Sequence, residues 1–231
     1  MAYRERTSAV PGVVLWQRDA GSRTPATGRI LPDGCMDLIW DGSQLFVAGP
    51  DTRARWHVLG PTASYMGLRF SRGLGPGLLG FPADQVRDQS PDLSDLWPSA
   101  EARVLSERVA TAPEEVLERW LVDRAAYHGY EPLGAAVFDL ATRGATVSGM
   151  ADRLGYSVRQ LHRRCLQLFG YGPQHLARVL RFNRALAAAR TGMPLAQVSA
   201  RTGFADQAHL SREVRDLAGT TPAQLLRELG G

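Results

Sequence analysis

The sequence contains two cysteines, no lysine and no long apolar run. The two cysteines, Cys35 and Cys165, are too few for a four-cysteine zinc site or a disulfide framework, so no metal site and no other cofactor is predicted. Because no apolar stretch reaches about 18 residues, no membrane-spanning helix is predicted. The N-terminus also lacks the apolar run of a signal peptide. We therefore expect a cytoplasmic protein with no membrane partner.

Basic charge is concentrated in the C-terminal part of the chain. All 27 basic residues are arginines, and they are accompanied by 23 acidic residues. From residue 146 onward there are 12 arginines and 5 acidic residues, whereas residues 1–145 contain 15 arginines and 18 acidic residues. A basic region joined to a slightly acidic one is the distribution expected if the C-terminal part binds the phosphates of a nucleic acid.

The C-terminal part contains an internal repeat. Residues 147–156 match residues 195–204 at an offset of 48, so that Gly155 corresponds to Gly203. After one inserted residue the offset becomes 49, and the match continues to the end of each unit. Such a repeat indicates one supersecondary unit that is used twice. The two glycines predict left-handed turns, each joining a short helix to a second one.

The second helix of each unit is predicted to be amphipathic and to span about residues 157–169 and about residues 206–217. Ser157 and Asp206 are good N-caps for these helices. Apolar residues at i, i+4 and i+7 predict a buried stripe on each: Leu161, Cys165 and Leu168 on the first, and Leu210, Val214 and Leu217 on the second. The opposite faces carry arginine, as two helices that enter the DNA major groove require.

These features resemble the DNA-binding domain of AraC/XylS-type transcription regulators. The motifs that carry the resemblance are Leu161-x-Arg163, Gly170-Tyr-Gly-Pro173, Arg181-Phe-Asn-Arg-Ala185, Gly203-Phe204-x-Asp206-Gln207-x-x-Leu210-Ser-Arg212 and Gly219-Thr-Thr-Pro222. The sequence departs from the family at Cys165, Leu210 and Val214, where aromatic residues are usual. The resemblance implies a sequence-specific transcription regulator, not an enzyme, that binds double-stranded DNA through two helix-turn-helix motifs.

The resemblance also places DNA-contacting residues on the two recognition helices. They are Arg159, His162 and Arg163 on the first helix, and Gln207, Ala208, His209, Ser211 and Arg212 on the second. Arginine can pair bidentately with guanine, glutamine can pair with adenine, and alanine offers only a methyl contact to thymine. The alternative for the charged residues is an ordinary solvated helix face.

A long helix is predicted between the two units, from Pro173 to Arg190, because these residues contain no internal glycine or proline. At 1.5 Å per residue its length would be about 27 Å, enough to place the two recognition helices about one turn of DNA apart. Its side chains Arg178, Arg181 and Arg184 are candidates for contacts with DNA phosphates. Helix capping and internal salt bridges are the alternative for all three.

Residues 1–95 are predicted to form a small β-barrel or sandwich, because short apolar runs alternate with turns rich in glycine and proline. One hairpin is expected within residues 35–48. A second hairpin is expected between Arg55–Leu59 and Ser64–Phe70, with its turn at Gly60-Pro61. The predicted fold class is therefore α+β, with this β-domain followed by helices.

A possible effector site is predicted in this domain from its sequence. The phrase Leu31-Pro-Asp-Gly-Cys-Met-Asp-Leu38 resembles the reduced N-terminal β-domain of a subset of AraC-type regulators. Cys35, Trp40, Trp56 and Tyr65 are candidates for the lining of a pocket that would bind a small-molecule effector, and a structural role in the core is the alternative for each. A second function is left open, in which the protein is a small-molecule-binding module that controls a protein partner and DNA binding is secondary.

Residues 96–128 are predicted to be a helical connector, with proline and two glutamates at the start of its second helix. The connector either packs on the β-domain or forms a homodimer interface. Residues 129–231 are predicted to form an all-α DNA-binding domain.

Overall fold

The computed structural model describes residues 3–19, 26–59, 64–128 and 131–230. Strands occupy the N-terminal part of the described chain, and helices occupy the remainder up to its C-terminal end. The predicted α+β class, with an N-terminal antiparallel β-domain and a helical C-terminal region, is confirmed. Within the described ranges, no helix combines the length and the apolar character needed to span a membrane.

The β-domain consists of a larger and a smaller antiparallel sheet. The strands are β1 (Tyr3–Thr7), β2 (Val13–Arg18), β3 (Ala26–Ile30), β4 (Met36–Trp40), β5 (Leu45–Ala48), β6 (Arg55–Leu59) and β7 (Tyr65–Phe70). The larger sheet has the order β1-β2-β7-β4-β5, while β3 and β6 pair with each other as a two-stranded ribbon. The hairpin of β4 and β5 is confirmed, and Asp41 stabilises its turn by accepting hydrogen bonds from the backbone N–H groups of Ser43 and Gln44.

The second predicted hairpin is wrong. Strand β6 pairs with β3, whereas β7 lies between β2 and β4 in the larger sheet. The reason is burial, because Leu68 and Phe70 of β7 belong to the core and require a central position, whereas Trp56 of β6 is 58% exposed. The predicted turn at Gly60-Pro61 lies outside the described residues.

Eleven α-helices follow the strands in the described part of the chain. They are α1 (Gly75–Leu79), α2 (Leu93–Leu96), α3 (Ser99–Thr111), α4 (Pro113–His128), α5 (Pro132–Thr142), α6 (Val147–Leu154), α7 (Val158–Phe169), α8 (Pro173–Arg190), α9 (Leu195–Thr202), α10 (Gln207–Ala218) and α11 (Pro222–Gly230). A 3₁₀ turn at Ala83–Val86 lies between α1 and α2. The bounds of α8 agree with the predicted long helix.

The described residues form two hydrophobic cores. In the first, one face of the larger sheet packs against the helices up to α4, and Leu117 and Leu121 of α4 are fully buried there. In the second, helices α5 to α11 pack on one another around Val137, Leu161 and Phe182. The connector therefore packs on the β-domain, which is the first of the two alternatives predicted for it.

The face of the larger sheet that is turned away from its helices holds a buried carboxylate. Met36 and Leu38 point into the core, so the strand alternation directs Asp37 to the opposite face. Trp16 Nε1 donates a hydrogen bond of 2.6 Å to Asp37 Oδ1, and Arg69 Nε lies 3.3 Å from the same oxygen. Burial raises the pKa of Asp37 to about 6, more than the Arg69 guanidinium lowers it.

This raised pKa predicts a pH dependence of stability. In the unfolded chain Asp37 loses its proton at about pH 3.9, which is below the pKa of the folded state. The protonated Asp37 therefore stabilises the fold fully below about pH 3.9. This stabilisation is then lost as the pH rises through about 6. Relative to wild type, Asp37→Asn should therefore gain on the order of 2 kcal/mol of unfolding free energy between pH 4 and pH 7.

Urea unfolding at several pH values between 4 and 7 measures this difference. Asp123→Asn, which removes an exposed carboxylate from α4, is the control for the loss of a charge. If the stability of Asp37→Asn followed that of wild type at a constant difference across the range, the buried carboxylate would have an unshifted pKa and the prediction would be wrong.

Candidate nucleic-acid interface

The two repeated units have the same construction. Helices α6 and α9 each contain 8 residues, and helices α7 and α10 each contain 12 residues. Gly155 ends α6 with φ 72°, and Gly203 ends α9 with φ 81°. Because this left-handed conformation is strained for residues with a Cβ, glycine allows the sharp turn into the recognition helix. The predicted helix-turn-helix geometry is thus present in both units.

Local side-chain contacts hold the N-terminus of each recognition helix. Ser157 Oγ accepts a hydrogen bond of 3.2 Å from the backbone N–H of Gln160, and Gln160 Oε1 accepts one of 2.9 Å from the backbone N–H of Ser157. In α10, Asp206 Oδ1 accepts a hydrogen bond of 2.6 Å from the backbone N–H of His209. Both predicted N-caps are confirmed. The reciprocal bond of Gln160 was not predicted, although the pattern Ser-x-x-Gln is its sequence signal.

The predicted apolar stripes anchor both recognition helices in the C-terminal core. The buried residues are Leu161, Cys165 and Leu168 on α7, and Leu210, Val214 and Leu217 on α10. Burial raises the pKa of the Cys165 thiol to about 12. With one face fixed in this way, the opposite faces of both helices are turned to solvent.

The outer face of α7 carries the three residues predicted for the first unit. Arg159, His162 and Arg163 are all exposed. Within the described part of the chain, neither arginine forms a hydrogen bond or an ion pair, so both guanidinium groups are available to a partner. The neighbouring Arg164 differs, because it pairs with Glu131 and donates a hydrogen bond to Gln167.

The candidate residues on the outer face of α10 differ in their exposure to solvent. Gln207, Ala208 and Arg212 are exposed, and Ser211 is half-buried. The half-buried ring of His209 packs edge-on against a phenylalanine, and its Nδ1 accepts a hydrogen bond of 3.3 Å from the backbone N–H of Ala205. Nδ1 of His209 is therefore occupied inside the protein.

The three arginines of α8 that are candidates for phosphate contacts have internal partners. Arg178 donates hydrogen bonds of 3.1 Å to both oxygens of Glu213 and one of 2.5 Å to Asp216. Arg181 stacks over an aromatic ring of the second unit, and Arg184 donates to the carbonyl oxygen of Thr142. Hydrogen bonding to Glu213 raises the pKa of Arg178. Of the two alternatives predicted for these residues, internal pairing is the one that the structure displays.

The four residues predicted to line an effector pocket do not converge. Cys35 immediately precedes β4 and Trp40 ends it, so the two lie roughly 16 Å apart along the chain direction of the strand. Trp40 is in the core, whereas Trp56 is exposed on the ribbon beneath the guanidinium of Arg29, whose Cζ lies 4.3 Å from the ring centroid. Tyr65 begins β7. The local sequence could not show this separation, because the ribbon carries Trp56 away from the larger sheet.

The described residues contain no group of three histidine, cysteine, aspartate or glutamate side chains arranged to hold a metal ion. Cys35 is half-buried, and burial together with Asp33 and Asp37 raises the pKa of its thiol well above the ordinary value. A protonated thiol is a poor nucleophile and a poor metal ligand.

Two family models match the chain. Residues 150–228 match a family described as a helix-turn-helix domain. Residues 13–92 match a family described as a domain of unknown function, DUF6597. A search of curated proteins gives no match.

Among solved structures, ToxT from Vibrio cholerae is similar over the whole chain, with 14% sequence identity, a TM-score of 0.51 and coverage of 100% of both chains. At this identity the likeness shows the fold alone. The DNA-binding domain of AdpA, solved in complex with a target DNA, is 26% identical over 42% of this chain and 92% of its own, with a TM-score of 0.39. A probable AraC family transcriptional regulator from Rhodopseudomonas palustris is 20% identical over 42% of this chain and 96% of its own, with a TM-score of 0.37. The last two TM-scores are too low for a structural conclusion.

Both thiols should resist alkylation in the folded protein, because only the thiolate reacts and burial raises the pKa of each cysteine. Intact-mass measurement after treatment with iodoacetamide at about pH 8 should show no adduct on folded protein and two adducts in urea. The variants Cys35→Ser and Cys165→Ser identify which thiol has reacted. Rapid modification of either cysteine without urea would contradict the prediction and indicate an activated thiol.

Proposed function

We propose that this chain, a DNA-binding transcription regulator with an AraC-type helix-turn-helix domain, recognises two adjacent major-groove segments with α7 and α10. The observation that carries the proposal is the exposure of unpaired arginines on the outer faces of two repeated helices. Helix α8 joins the units, and its 18 residues give it a length of about 27 Å. A spacer helix of this length can place two recognition helices about one turn of DNA apart, on one face of the duplex.

The side chains of the two helices would have different roles in the groove. Arg159 and Arg163 suit bidentate pairing with guanine, because their guanidinium groups have no competing partner in the described structure. Gln207 suits adenine, and Ala208 a thymine methyl group. The remaining candidates from the sequence are His162 on α7, and His209, Ser211 and Arg212 on α10.

The arginines of α8 have another role in this proposal. Arg178 and Arg181 fix α10 to α8 through Glu213, so a DNA phosphate would have to compete with carboxylates that are already in place. We therefore assign them to the geometry of the two units rather than to phosphate binding. Arg184, bonded to the carbonyl oxygen of Thr142, has the same role between α8 and α5.

The N-terminal part would regulate DNA binding. The proposed division is residues 1–95 as a regulatory domain, residues 96–128 as a connector and residues 129–231 as the DNA-binding domain, and the two separate cores support a boundary near residue 128. A small-molecule effector would bind the regulatory domain. A homodimer would pair through the outer face of the connector, where Val104 and Val122 are 48% and 42% exposed. A regulator of this kind acts on DNA in the cytoplasm and carries out no catalysis.

Selection from a random DNA pool tests the proposal. The full chain should enrich one sequence with two conserved segments, about 10 base pairs from centre to centre, and footprinting should show protection of both major-groove segments on one face. Enrichment of no sequence would contradict specific recognition. It would favour the alternative function, a module that acts through a protein partner.

A pair of arginine variants separates base recognition from general charge. Arg163→Ala should weaken binding of the selected site by about 1–3 kcal/mol and should relax the preference at one base pair. Arg119→Ala removes the same charge from α4, where Arg119 pairs with Glu115, and should leave the selected sequence unchanged. Fluorescence anisotropy and a repeated selection measure both effects. Equal losses in the two variants would mean that Arg163 contributes only net charge.

A further inference from the structure

The last turn of the second recognition helix is held by the N-terminal part of the chain. The backbone N–H of Ala54 donates a hydrogen bond of 2.7 Å to the carbonyl oxygen of Leu217. Arg29 Nη1 donates one of 2.5 Å to the carbonyl oxygen of Ala218. Carbonyl groups in the last turn of a helix have no partner within the helix. Here a segment more than 160 residues earlier in the sequence supplies those partners.

The guanidinium of Arg29 is fixed on three sides. It donates to Ala218, its Nε lies 3.1 Å from Glu228 of α11, and it stacks on the ring of Trp56. Trp56 lies directly opposite Arg29 in the register of the β3–β6 ribbon. The side chain of Arg29 is only 9% exposed. Arg29 therefore contacts the second unit at one defined site. Its planar guanidinium can do so because it carries several hydrogen-bond donors in a fixed geometry.

The first recognition helix is held in a corresponding way. Arg87, which follows the 3₁₀ turn at Ala83–Val86, donates a hydrogen bond of 3.2 Å to the carbonyl oxygen of Gly170 at the end of α7. A Cβ on Gly170 would lie 2.5 Å from Pro50, so the N-terminal part and the end of α7 are in close contact. In the repeat, Gly170 corresponds to Gly219, the residue that follows Ala218. An arginine from the N-terminal part thus bonds the C-terminal end of each recognition helix.

Helix α8, which lies between the two units in the sequence, also contacts the N-terminal part of the chain. Asn183 Nδ2 donates a hydrogen bond of 2.9 Å to the carbonyl oxygen of Pro32, and His175 Nε2 lies 3.2 Å from the carbonyl oxygen of Thr52. All three helices that determine the separation of the two outer faces therefore contact residues 29–87. Their relative positions depend on this part of the chain as well as on α8.

We propose that the N-terminal domain sets the spacing and orientation of the two recognition helices, with Arg29 and Arg87 as positioning residues. The inference rests on the proposed recognition of two DNA segments. It adds that the preferred distance between those segments is determined by contacts outside the DNA-binding domain. One base pair changes the separation by about 3.4 Å and rotates the second segment about the DNA axis, so a fixed pair of helices should discriminate strongly between spacings.

The test uses the full chain and the site obtained from the random pool. Three duplexes carry the two segments at the selected spacing and with one base pair removed or added. Wild-type protein should bind the selected spacing at least about tenfold more tightly than the other two. Arg29→Ala and Arg87→Ala should each reduce this ratio to about threefold or less, because the helix that each releases can adjust to the altered site.

Controls separate positioning from a loss of charge or of folding. Arg103→Ala removes an exposed charge that pairs with Glu107 and should keep the wild-type ratio. Circular dichroism verifies that each variant folds, and Arg29→Lys, which keeps one donor but not the planar group, replaces Arg29→Ala if that variant is unfolded. Arg29→Lys should in any case give an intermediate ratio.

The outcomes distinguish this inference from the proposed function. If wild-type protein selects no two-segment site, the proposed function has failed. If wild-type protein discriminates between the spacings and the variants at Arg29 and Arg87 keep its ratio, the proposed function stands and the positioning inference is overturned. An equal reduction of the ratio in Arg103→Ala would also overturn it, because charge alone would then explain the effect.

Discussion

The ends of the two recognition helices impose the constraint on which the rest of the structure depends. A helix of 12 residues is marginal by itself, and each end leaves backbone groups without partners. A recognition helix must also keep one face free for DNA, so only its buried stripe and its ends can stabilise it. In α7 and α10 the N-terminal ends are capped by side chains of the same unit, through Ser157 and Asp206. The C-terminal ends receive hydrogen bonds from the N-terminal part of the chain, through Arg29 and Arg87.

This difference explains which features the sequence could predict. Caps, turns and apolar stripes depend on residues a few positions apart, so the repeat, the glycine turns, both N-caps and the bounds of α8 could be inferred correctly. The contact between Arg29 and Ala218 joins residues 189 positions apart, and no local pattern indicates it. The pairing of β6 with β3 was missed for the same reason. Strand β1 has no apolar alternation and is exposed throughout, so no sequence pattern indicates its pairing with β2.

Net charge predicted that the C-terminal part of the chain binds DNA, but it did not indicate which arginines are unpaired there. Arg163 and Arg164 are adjacent in the sequence, yet Arg163 is unpaired in the described structure while Arg164 pairs with Glu131. Arg178 is held by two carboxylates of α10. The arginines named here therefore occupy two settings in the described structure, unpaired on an outer face or paired inside, where they join helices. A count of residues cannot separate the two settings, because the deciding carboxylates lie on other helices.

The two contacts with the recognition helices also differ in how they are attached to the N-terminal domain. Arg87 follows a 3₁₀ turn whose Ala83 and Val86 are fully buried in the first core, so its position is tied to that core. Arg29 lies on the β3–β6 ribbon, which forms a separate sheet in the described structure. Because β3 and β6 pair with each other and not with the larger sheet in the described structure, a shift of the ribbon would leave the hydrogen bonds of that sheet intact. It would also move the end of α10 relative to α7. A ligand would change the DNA spacing only if it bound the shifted and unshifted ribbon with different affinities.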